Sequence, residues 1–274
     1  MRAAVITEPG AQDLANEDWA GLTPGLAVVL DGLSAPEGTG TGCSHGTRWY
    51  VAQLGPRLLT LASDPARTLV HALAEAIRQV ADLHPDCDLT HPGTPSSTLV
   101  LLRTLGERAD YLVLADAVML LDTSDGLQVV SDDRVNNLAT RERAAASRLP
   151  TGSARHLRRR VQLTTALRRS RNQPGGYWVA AADPLAATQA ITGSLRSKDL
   201  HRAVLLSDGA SRLVDVFGLA TWNELLMLLD ESGPGELVRR VRAAEAADPQ
   251  GRRWPRTKSS DDATVVYLVP NDSG

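Results

Sequence analysis

The stretch Ser97–Ser131, STLVLLRTLGERADYLVLADAVMLLDTSDGLQVVS, decides the fold class of this chain. It contains four apolar runs of five to seven residues, separated by turn residues such as Ser124-Asp125-Gly126. The runs occupy 97–103, 110–115, 118–122 and 127–131. Short apolar runs bounded by Gly, Asp and Ser are typical of β-strands, and short connections favour antiparallel pairing of neighbours. The stretch therefore predicts an antiparallel meander.

The rest of the chain places strands and helices in blocks. Leu26–Leu30 (LAVVL) is typical of a buried strand that ends at the Asp31-Gly32 turn. Apolar residues at helical spacing predict helices over 47–61, 65–83, 134–171 with an interruption at 150–152, 221–230 and 236–247. Further strands are predicted at 177–181, 203–207 and 263–269. This order favours an α+β layered fold over a βαβ repeat, and no linker divides 1–274, which we interpret as one domain.

Composition excludes several classes of protein. With 43% hydrophobic and 22% charged residues among 274, the chain can bury a core and is not a disordered protein. A net charge of -3 provides no global attraction to nucleic acid or to an anionic membrane. No uncharged apolar run reaches the roughly 18 residues that span a bilayer. Two cysteines are too few for a disulfide scaffold, so a cytoplasmic location is expected. Only Lys198 and Lys258 among the 29 basic residues are lysines, a bias typical of GC-rich, for example actinobacterial, genomes.

Acidic residues lie at the ends of the predicted strands. Asp31 and Asp208 each follow an apolar strand, and Asp261-Asp262 precede the last one. Converging carboxylates repel one another unless a cation neutralises them, and oxygen ligands suit Mg²⁺ or Mn²⁺. For each aspartate by itself, a role in turn formation is the alternative.

Taken in order, these motifs resemble the metal-dependent serine/threonine protein phosphatases of type two C, the PPM family. Each match is short, but together they span nearly the whole chain. The matching segments are Asn16-Glu17-Asp18, Asp31-Gly32-Leu33-Ser34, Pro95-Ser96-Ser97-Thr98, Ala115-Asp116-Ala117, Ser131-Asp132-Asp133, Ser207-Asp208-Gly209 and Asp261-Asp262-Ala263-Thr264.

The resemblance implies a four-layer α-β-β-α sandwich of two antiparallel sheets, with two Mn²⁺ or Mg²⁺ ions at one end. The implied catalytic aspartates are Asp31, Asp208 and Asp261. Asp31 would bridge both ions, Asp208 and Asp261 would complete the first, and the Gly32 carbonyl would bind the second. Glu17 and Asp18 would hold metal-bound waters, and Asp116 would serve a third ion. The implied reaction is in-line attack of a water shared by the ions on phosphoserine or phosphothreonine in a protein.

The sequence also departs from the family pattern. Asp13 stands where the family usually has an arginine that binds the substrate phosphate, and Arg212 stands where it has an aspartate for a third ion. The third ion is therefore in doubt. Arg212 or Arg48 is a candidate to bind the phosphate instead, and His45 is a candidate general acid. The alternatives are a surface role for Arg212 and a helix-entry role for His45. The rival function is a catalytically weak relative that binds a phosphoprotein or a regulator.

Two further signals compete with this interpretation. His84-x2-Cys87-x3-His91, with Asp86 or Asp88, has spacing compatible with zinc, although an ordinary Pro-rich connection before the strand at 97–103 is favoured, because the segment has one thiol and no paired motif.

Arg141–Arg171 holds ten arginines and one acid. Its lack of aromatic residues disfavours nucleic acid and leaves a solvated basic helix or a phosphoprotein-docking surface. An apolar face is predicted for this helix, formed by Leu157, Val161, Leu163 and Leu167. The expected partner is a phosphorylated protein, with neither nucleic acid nor membrane.

Overall fold

The computed structural model describes residues 2–33 and 39–270. These residues form ten strands: β1 (Arg2–Glu8), β2 (Trp19–Thr23), β3 (Leu26–Gly32), β4 (Ser97–Leu105), β5 (Arg108–Leu114), β6 (Val118–Thr123), β7 (Gly126–Val130), β8 (Ile191–Arg196), β9 (Leu200–Leu206) and β10 (Ala263–Val269). They also form seven α-helices: α1 (Thr47–Ala62), α2 (Leu69–Ala81), α3 (Thr140–Ser147), α4 (Ala154–Ser170), α5 (Asp208–Asp215), α6 (Trp222–Ser232) and α7 (Pro234–Ala247). Short 3₁₀ helices span Asp133–Asn137, Pro184–Gln189 and Ser197–Asp199.

The strands form two five-stranded sheets. Sheet I has the order β2-β3-β4-β5-β8 and sheet II the order β1-β10-β9-β6-β7. Every neighbouring pair is antiparallel. Helices α1 and α2 cover the outer face of sheet I, and α5 and α7 contact sheet II with α6 packed beside them. The predicted four-layer α-β-β-α sandwich is confirmed.

Strand β3 shows why its sequence is continuously apolar. Leu26, Val28 and Leu30 pack against the helices α1 and α2, whereas Ala27 and Val29 face sheet II. Successive side chains of a strand point to opposite faces, and both faces of β3 are covered. The run LAVVL is therefore buried throughout, and the chain leaves the core only at Asp31.

The predicted meander is wrong, although both of its hairpins are present. β4 pairs with β5 in sheet I, and β6 pairs with β7 in sheet II. The chain crosses between the sheets at Ala115, whose φ of 64° lies in the left-handed region. That conformation costs a non-glycine residue roughly 1–2 kcal/mol. It directs β6 towards β9 rather than back onto β5, and it leaves Asp116 at the crossing.

The strand predicted at 177–181 is also wrong. Only isolated bridges occur there, from Tyr177 to Arg171 and from Ala180 to Ser97. The backbone of Val179 is bonded to the Asn172 side chain instead, because its N–H donates to Asn172 Oδ1 at 2.8 Å and its carbonyl accepts from Nδ2 at 3.1 Å. Those groups are unavailable for a strand ladder.

The sequence did not predict β1, β2 and β8, which are edge strands of the two sheets. An edge strand buries little, so β1 and β8 are mostly exposed and carry no continuous apolar run. Helix α5 was also missed, because Asp208-Gly209 at its start is typical of a turn.

The arginine-rich segment folds as α3 and α4, with the predicted interruption at 150–152. Leu163 is buried and Leu167 packs against the small cluster around Tyr177 and Val179. Leu157 and Val161 are 48% and 36% exposed, so the predicted apolar face covers only the second half of α4. Among the helices of the described ranges, none is both long enough and apolar enough to cross a membrane.

Candidate metal centre

Three predicted site residues converge where strands end. Asp31 lies at the end of β3, Asp208 opens α5 directly after β9, and Asp261 precedes β10. The Asp208 backbone N–H donates to Asp31 Oδ2 at 3.2 Å, which joins the two sheets at this point. A hydrogen bond connects Ser207 with Thr264, because the Thr264 N–H donates to Ser207 Oγ at 2.9 Å. This bond places Asp208 beside the segment that carries Asp261.

Two glycines permit the close approach of these segments. A Cβ atom on Gly209 would lie 1.9 Å from the Asp262 carbonyl oxygen, and one on Gly32 would lie 2.6 Å from the Glu17 carbonyl oxygen. Any larger residue would push the backbones apart. The glycines that follow Asp31 and Asp208 are therefore required by packing. Ser34, the last residue of the Asp31 motif, lies outside the described residues.

Asp262 holds the N-terminal acidic pair in place. Its Oδ1 accepts from the Gly10 N–H at 2.8 Å and its Oδ2 accepts from the Glu17 N–H at 2.7 Å. The Asp18 N–H donates in turn to Asn16 Oδ1 at 2.9 Å. Asp262 thus acts as a positioning residue for Glu17 and Asp18, a role that sequence reasoning did not assign.

The carboxylate of Asp18 is buried in the cluster. The residue is 8% exposed, and neither carboxylate oxygen has a hydrogen-bond partner of good geometry among the described residues. Burial raises the pKa of Asp18 to about 7, and the charges of Asp262 and Asp208 add to the rise, against the opposing effect of the Thr264 and Ser207 hydroxyls. A buried carboxylate of this kind is what a bound cation would satisfy.

The neighbouring carboxyls show the same mutual repulsion. Burial raises the pKa of Asp31 well above its ordinary value, and the charges of Asp208, Asp18 and Asp261 raise it further. Burial and then the charge of Asp261 raise the pKa of Asp208. Burial and then the charge of Asp208 raise the pKa of Asp116 to about 7. The cluster therefore carries an excess of negative charge that favours divalent cations.

Asp261 is the exception, because the chain neutralises it with its own cations. Lys258 Nζ donates to Asp261 Oδ1 at 2.6 Å, and Arg212 Nη2 donates to Asp261 Oδ2 at 2.8 Å. Burial raises the pKa of Asp261, but Lys258 and Arg212 outweigh it and hold the pKa below its ordinary value. Lys258 was not among the predicted site residues, although a lysine three residues before a predicted ligand, in a chain with two lysines, is a visible signal.

The donor chemistry of the cluster fits a divalent cation of the magnesium or manganese type. Asp18, Asp31 and Asp208 offer carboxylate oxygens, and the orphaned oxygens of Asp18 mark the position where positive charge is missing. In the described part of the chain, no three of these carboxylates bring ligand atoms within 4.8 Å of one another. A bound ion would therefore have to draw them together.

Solved structures with this architecture include serine/threonine phosphatases. PstP/Ppp of Mycobacterium tuberculosis has a TM-score of 0.60 at 17% identity, covering 98% of this chain and 99% of that one. MsPP of Mycobacterium smegmatis, a PPM phosphatase in complex with cacodylate, has a TM-score of 0.55 at 18% identity, covering 99% of both chains. The chain has the fold of the PPM phosphatases.

A third structure of this fold is PppA, a key regulatory component of T6SS in Pseudomonas aeruginosa. It has a TM-score of 0.55 at 18% identity, covering 97% of this chain and 96% of its own. No protein-family model and no curated protein matches the sequence.

Within the PPM fold, the residues predicted to bind substrate are scattered. Arg212 is buried between Asp261 and Glu245, with Nη1 donating to Glu245 Oε1 at 2.9 Å. Arg48 is exposed in the first turn of α1. His45 is also exposed and lies beside Cys43 and Cys87. The geometry thus places Arg212 as a support for Asp261, and it brings neither Arg48 nor His45 into a contact with the carboxylates that we observe.

Helix α4 carries a further cation within electrostatic reach of Asp261. Arg160 is partly buried; burial lowers the pKa of its guanidinium, and the charge of nearby Asp261 opposes this effect. Beside the carboxylates, a cavity of about 550 Å³ is lined by Asp116, Asp208, Arg143 and Arg212, among others. The sequence places Arg160 in the basic segment but does not connect it with the acidic centre. The two are far apart along the chain, and only the fold brings Arg160 near Asp261.

Proposed function

We propose that the chain is a Mn²⁺- or Mg²⁺-dependent phosphatase that hydrolyses phosphoserine or phosphothreonine in proteins. The observation that carries the proposal is the convergence at the strand ends of buried Asp18 with half-buried Asp31 and Asp208, joined by the hydrogen bond from the Asp208 N–H to Asp31 Oδ2 and each with a raised pKa. Repulsion between these carboxylates is tolerated in an enzyme that binds cations among them when it is active. The fold supports the proposal, since the PstP catalytic domain has been solved with two manganese ions.

The residues that would hold the ions are those at the centre of the cluster. Asp31 and Asp208 would bind directly, the Gly32 carbonyl would contribute a further oxygen, and Glu17 and Asp18 would complete the surroundings. When bound, such ions activate water and stabilise the charge that develops on a phosphoryl group. Asp116 would be the one acid left for a third ion, because Arg212 stands where a second acid is expected.

The chain's own cations would divide the remaining work. Lys258 and Arg212 orient Asp261 by holding one oxygen each. Arg160, a partly buried cation within electrostatic reach of Asp261, would bind the substrate phosphate in place of the arginine that Asp13 replaces. Asp13 is exposed on the loop between β1 and β2, and its carboxylate, an anion like the phosphate, cannot take the place of that arginine.

A basic groove would recognise the protein part of the substrate. Between α3 and α4 lies a cavity of about 550 Å³, lined by Arg141, Arg159 and Arg169 with Glu142 as its acid. Guanidinium groups at this density attract acidic and phosphorylated segments.

The proposal is tested by hydrolysis of a chromogenic phosphomonoester and of phosphothreonine peptides, with Mn²⁺ or with EDTA. Wild-type protein should turn over substrate only with the metal. Asp31→Asn should lower kcat/KM by at least about a hundredfold, a barrier change of about 3 kcal/mol. Asp125→Asn, on the exposed turn between β6 and β7, is the matched control and should retain full activity. Equal rates for Asp31→Asn and wild type at saturating Mn²⁺ would refute the assignment.

The second candidate is a weak or inactive relative that binds a phosphoprotein or a regulator through the same surface. The pairing of Asp261 with two cations and the presence of Asp13 favour it specifically. A phosphopeptide that binds in the presence of Mn²⁺ but is not hydrolysed would select this function over the enzyme.

A further inference from the structure

Two cysteines and two histidines meet on the side of the molecule where the β3–α1 loop contacts the α2–β4 connection. Cys43 and His45 precede α1, whereas His84 and Cys87 follow α2. The ligand atoms of Cys43, His45 and His84 all lie within 4.8 Å of one another. Cys87 joins them through its Sγ, which lies 3.5 Å from His45 Nδ1.

Two distances in this cluster, from each sulfur to His45 Nδ1, match those of a tetrahedral zinc site. Cys43 Sγ lies 3.6 Å and Cys87 Sγ 3.5 Å from His45 Nδ1. With Zn–S near 2.3 Å and Zn–N near 2.0–2.1 Å, tetrahedral angles place a sulfur and a nitrogen ligand about 3.5–3.6 Å apart. The His45 backbone N–H donates to Cys43 Sγ at 3.3 Å, a bond that favours a thiolate at this position.

His84 provides independent evidence for a metal ion at this position. The residue is 5% exposed, and its Nδ1 is 2.9 Å from the Val80 carbonyl oxygen. Nδ1 therefore donates its proton to that carbonyl, which leaves Nε2 as the lone-pair nitrogen. Nε2 is buried and has no hydrogen-bond partner among the described residues. A histidine whose other nitrogen is fixed by a backbone carbonyl is the usual arrangement of a metal ligand.

We propose that Cys43, His45, His84 and Cys87 form a structural Zn²⁺ site, with His45 bound through Nδ1 and His84 through Nε2. Two thiolates and two neutral imidazoles balance the charge of the ion, and binding releases two thiol protons. Trp49 covers the site, because its ring stacks on His45 at 4.3 Å and meets the edge of His84 at 4.7 Å. The ion would tie the loop that follows Asp31 and Gly32 to the end of α2.

The structure corrects the ligand set that the sequence spacing suggested. His91 Nδ1 accepts the Gly93 N–H at 2.9 Å, and Asp88 Oδ1 accepts from the backbone and hydroxyl of Thr90. Both groups are therefore engaged in the loop itself. His45 and Cys43 take their places, although they lie some forty residues earlier in the chain.

The site is tested on the full chain by metal analysis and by cobalt substitution. Protein purified under reducing conditions should contain about one zinc ion per chain, released when a thiol reagent is added. Cobalt in place of zinc should produce a thiolate-to-cobalt charge-transfer band and the strong visible absorption of a four-coordinate ion. Cys43→Ser, Cys87→Ser and His84→Gln should each weaken cobalt binding at least tenfold.

Matched variants separate this site from the others. His91→Gln, in the same loop, should bind cobalt as wild type does, and Asp31→Asn should keep the thiolate band whether or not the proposed phosphatase activity exists. Wild-type protein without zinc and without the band, its thiols either free or joined as a disulfide, would overturn the proposal. Loss of the band in His91→Gln together with its retention in His84→Gln would overturn the ligand assignment. The zinc content and the cobalt spectrum of the wild-type protein test the site without any variant, so the test stands even if a variant fails to fold.

Discussion

Replacement of Asp18 by asparagine should stabilise the metal-free protein at alkaline pH. The pKa of Asp18 rises from 3.8 to about 7 on folding, chiefly because the carboxyl is buried. Since one pKa unit corresponds to about 1.4 kcal/mol, ionisation of Asp18 above pH 7 costs the folded state roughly 4 kcal/mol. Asparagine removes the charge and keeps the shape, so a gain of about 1–4 kcal/mol is expected at pH 8 in EDTA.

The same pKa shift predicts how the free energy of unfolding changes with pH. Below pH 3.8 the carboxyl is protonated in both the folded and the unfolded state, and it has no effect. Between pH 3.8 and about 7 only the folded state keeps the proton, so wild-type stability falls as pH rises, by up to about 1.4 kcal/mol per pH unit for this group. Asp18→Asn should remove that part of the slope.

Urea unfolding in EDTA at several pH values between 5 and 8 measures both quantities. Asp125→Asn is the control for loss of an exposed carboxylate and should follow wild type throughout. With saturating Mn²⁺ the order should reverse, because the metal stabilises wild type more than the variant. A variant that is less stable than wild type at pH 8 in EDTA, or that keeps the wild-type slope, would refute the reasoning.

Two further predictions concern the cations around the centre. Lys258→Gln should tighten apparent Mn²⁺ binding about tenfold, or about 1.4 kcal/mol, because the ammonium on Asp261 opposes the ion. Calorimetric titration measures the effect, Lys198→Gln is the exposed-lysine control, and unchanged affinity would contradict the prediction. Arg160→Gln should raise KM for a small phosphomonoester about tenfold, whereas Arg158→Gln on the exposed face of α4 should not. Steady-state kinetics that show equal KM values for both variants would return Arg160 to a surface role.

Much of the fold followed from local sequence patterns. The strands β3, β4, β9 and β10 are buried on both faces, so their sequences are continuous apolar runs that can be recognised without the structure. Edge strands such as β1 and β8 bury too little to leave that pattern. The hairpins β4–β5 and β6–β7 were visible for the same local reason, but the sheet that each one joins was not.

The sequence by itself determined where the carboxylates lie relative to the strands. Asp31, Asp208 and Asp261 each border a strand that can be recognised from its own apolar residues. Only the tertiary structure decided what surrounds them. The pairing of Asp261 with Arg212 and the meeting of Cys43 with Cys87 join residues more than forty positions apart. Burial, charge and distance between such residues are set by how the layers pack, and no local pattern encodes them. For that reason the acidic motifs were predicted from sequence, whereas the contacts of Lys258 and Arg212 with Asp261, and the meeting of Cys43 and His45 with His84 and Cys87, were found only in the folded chain.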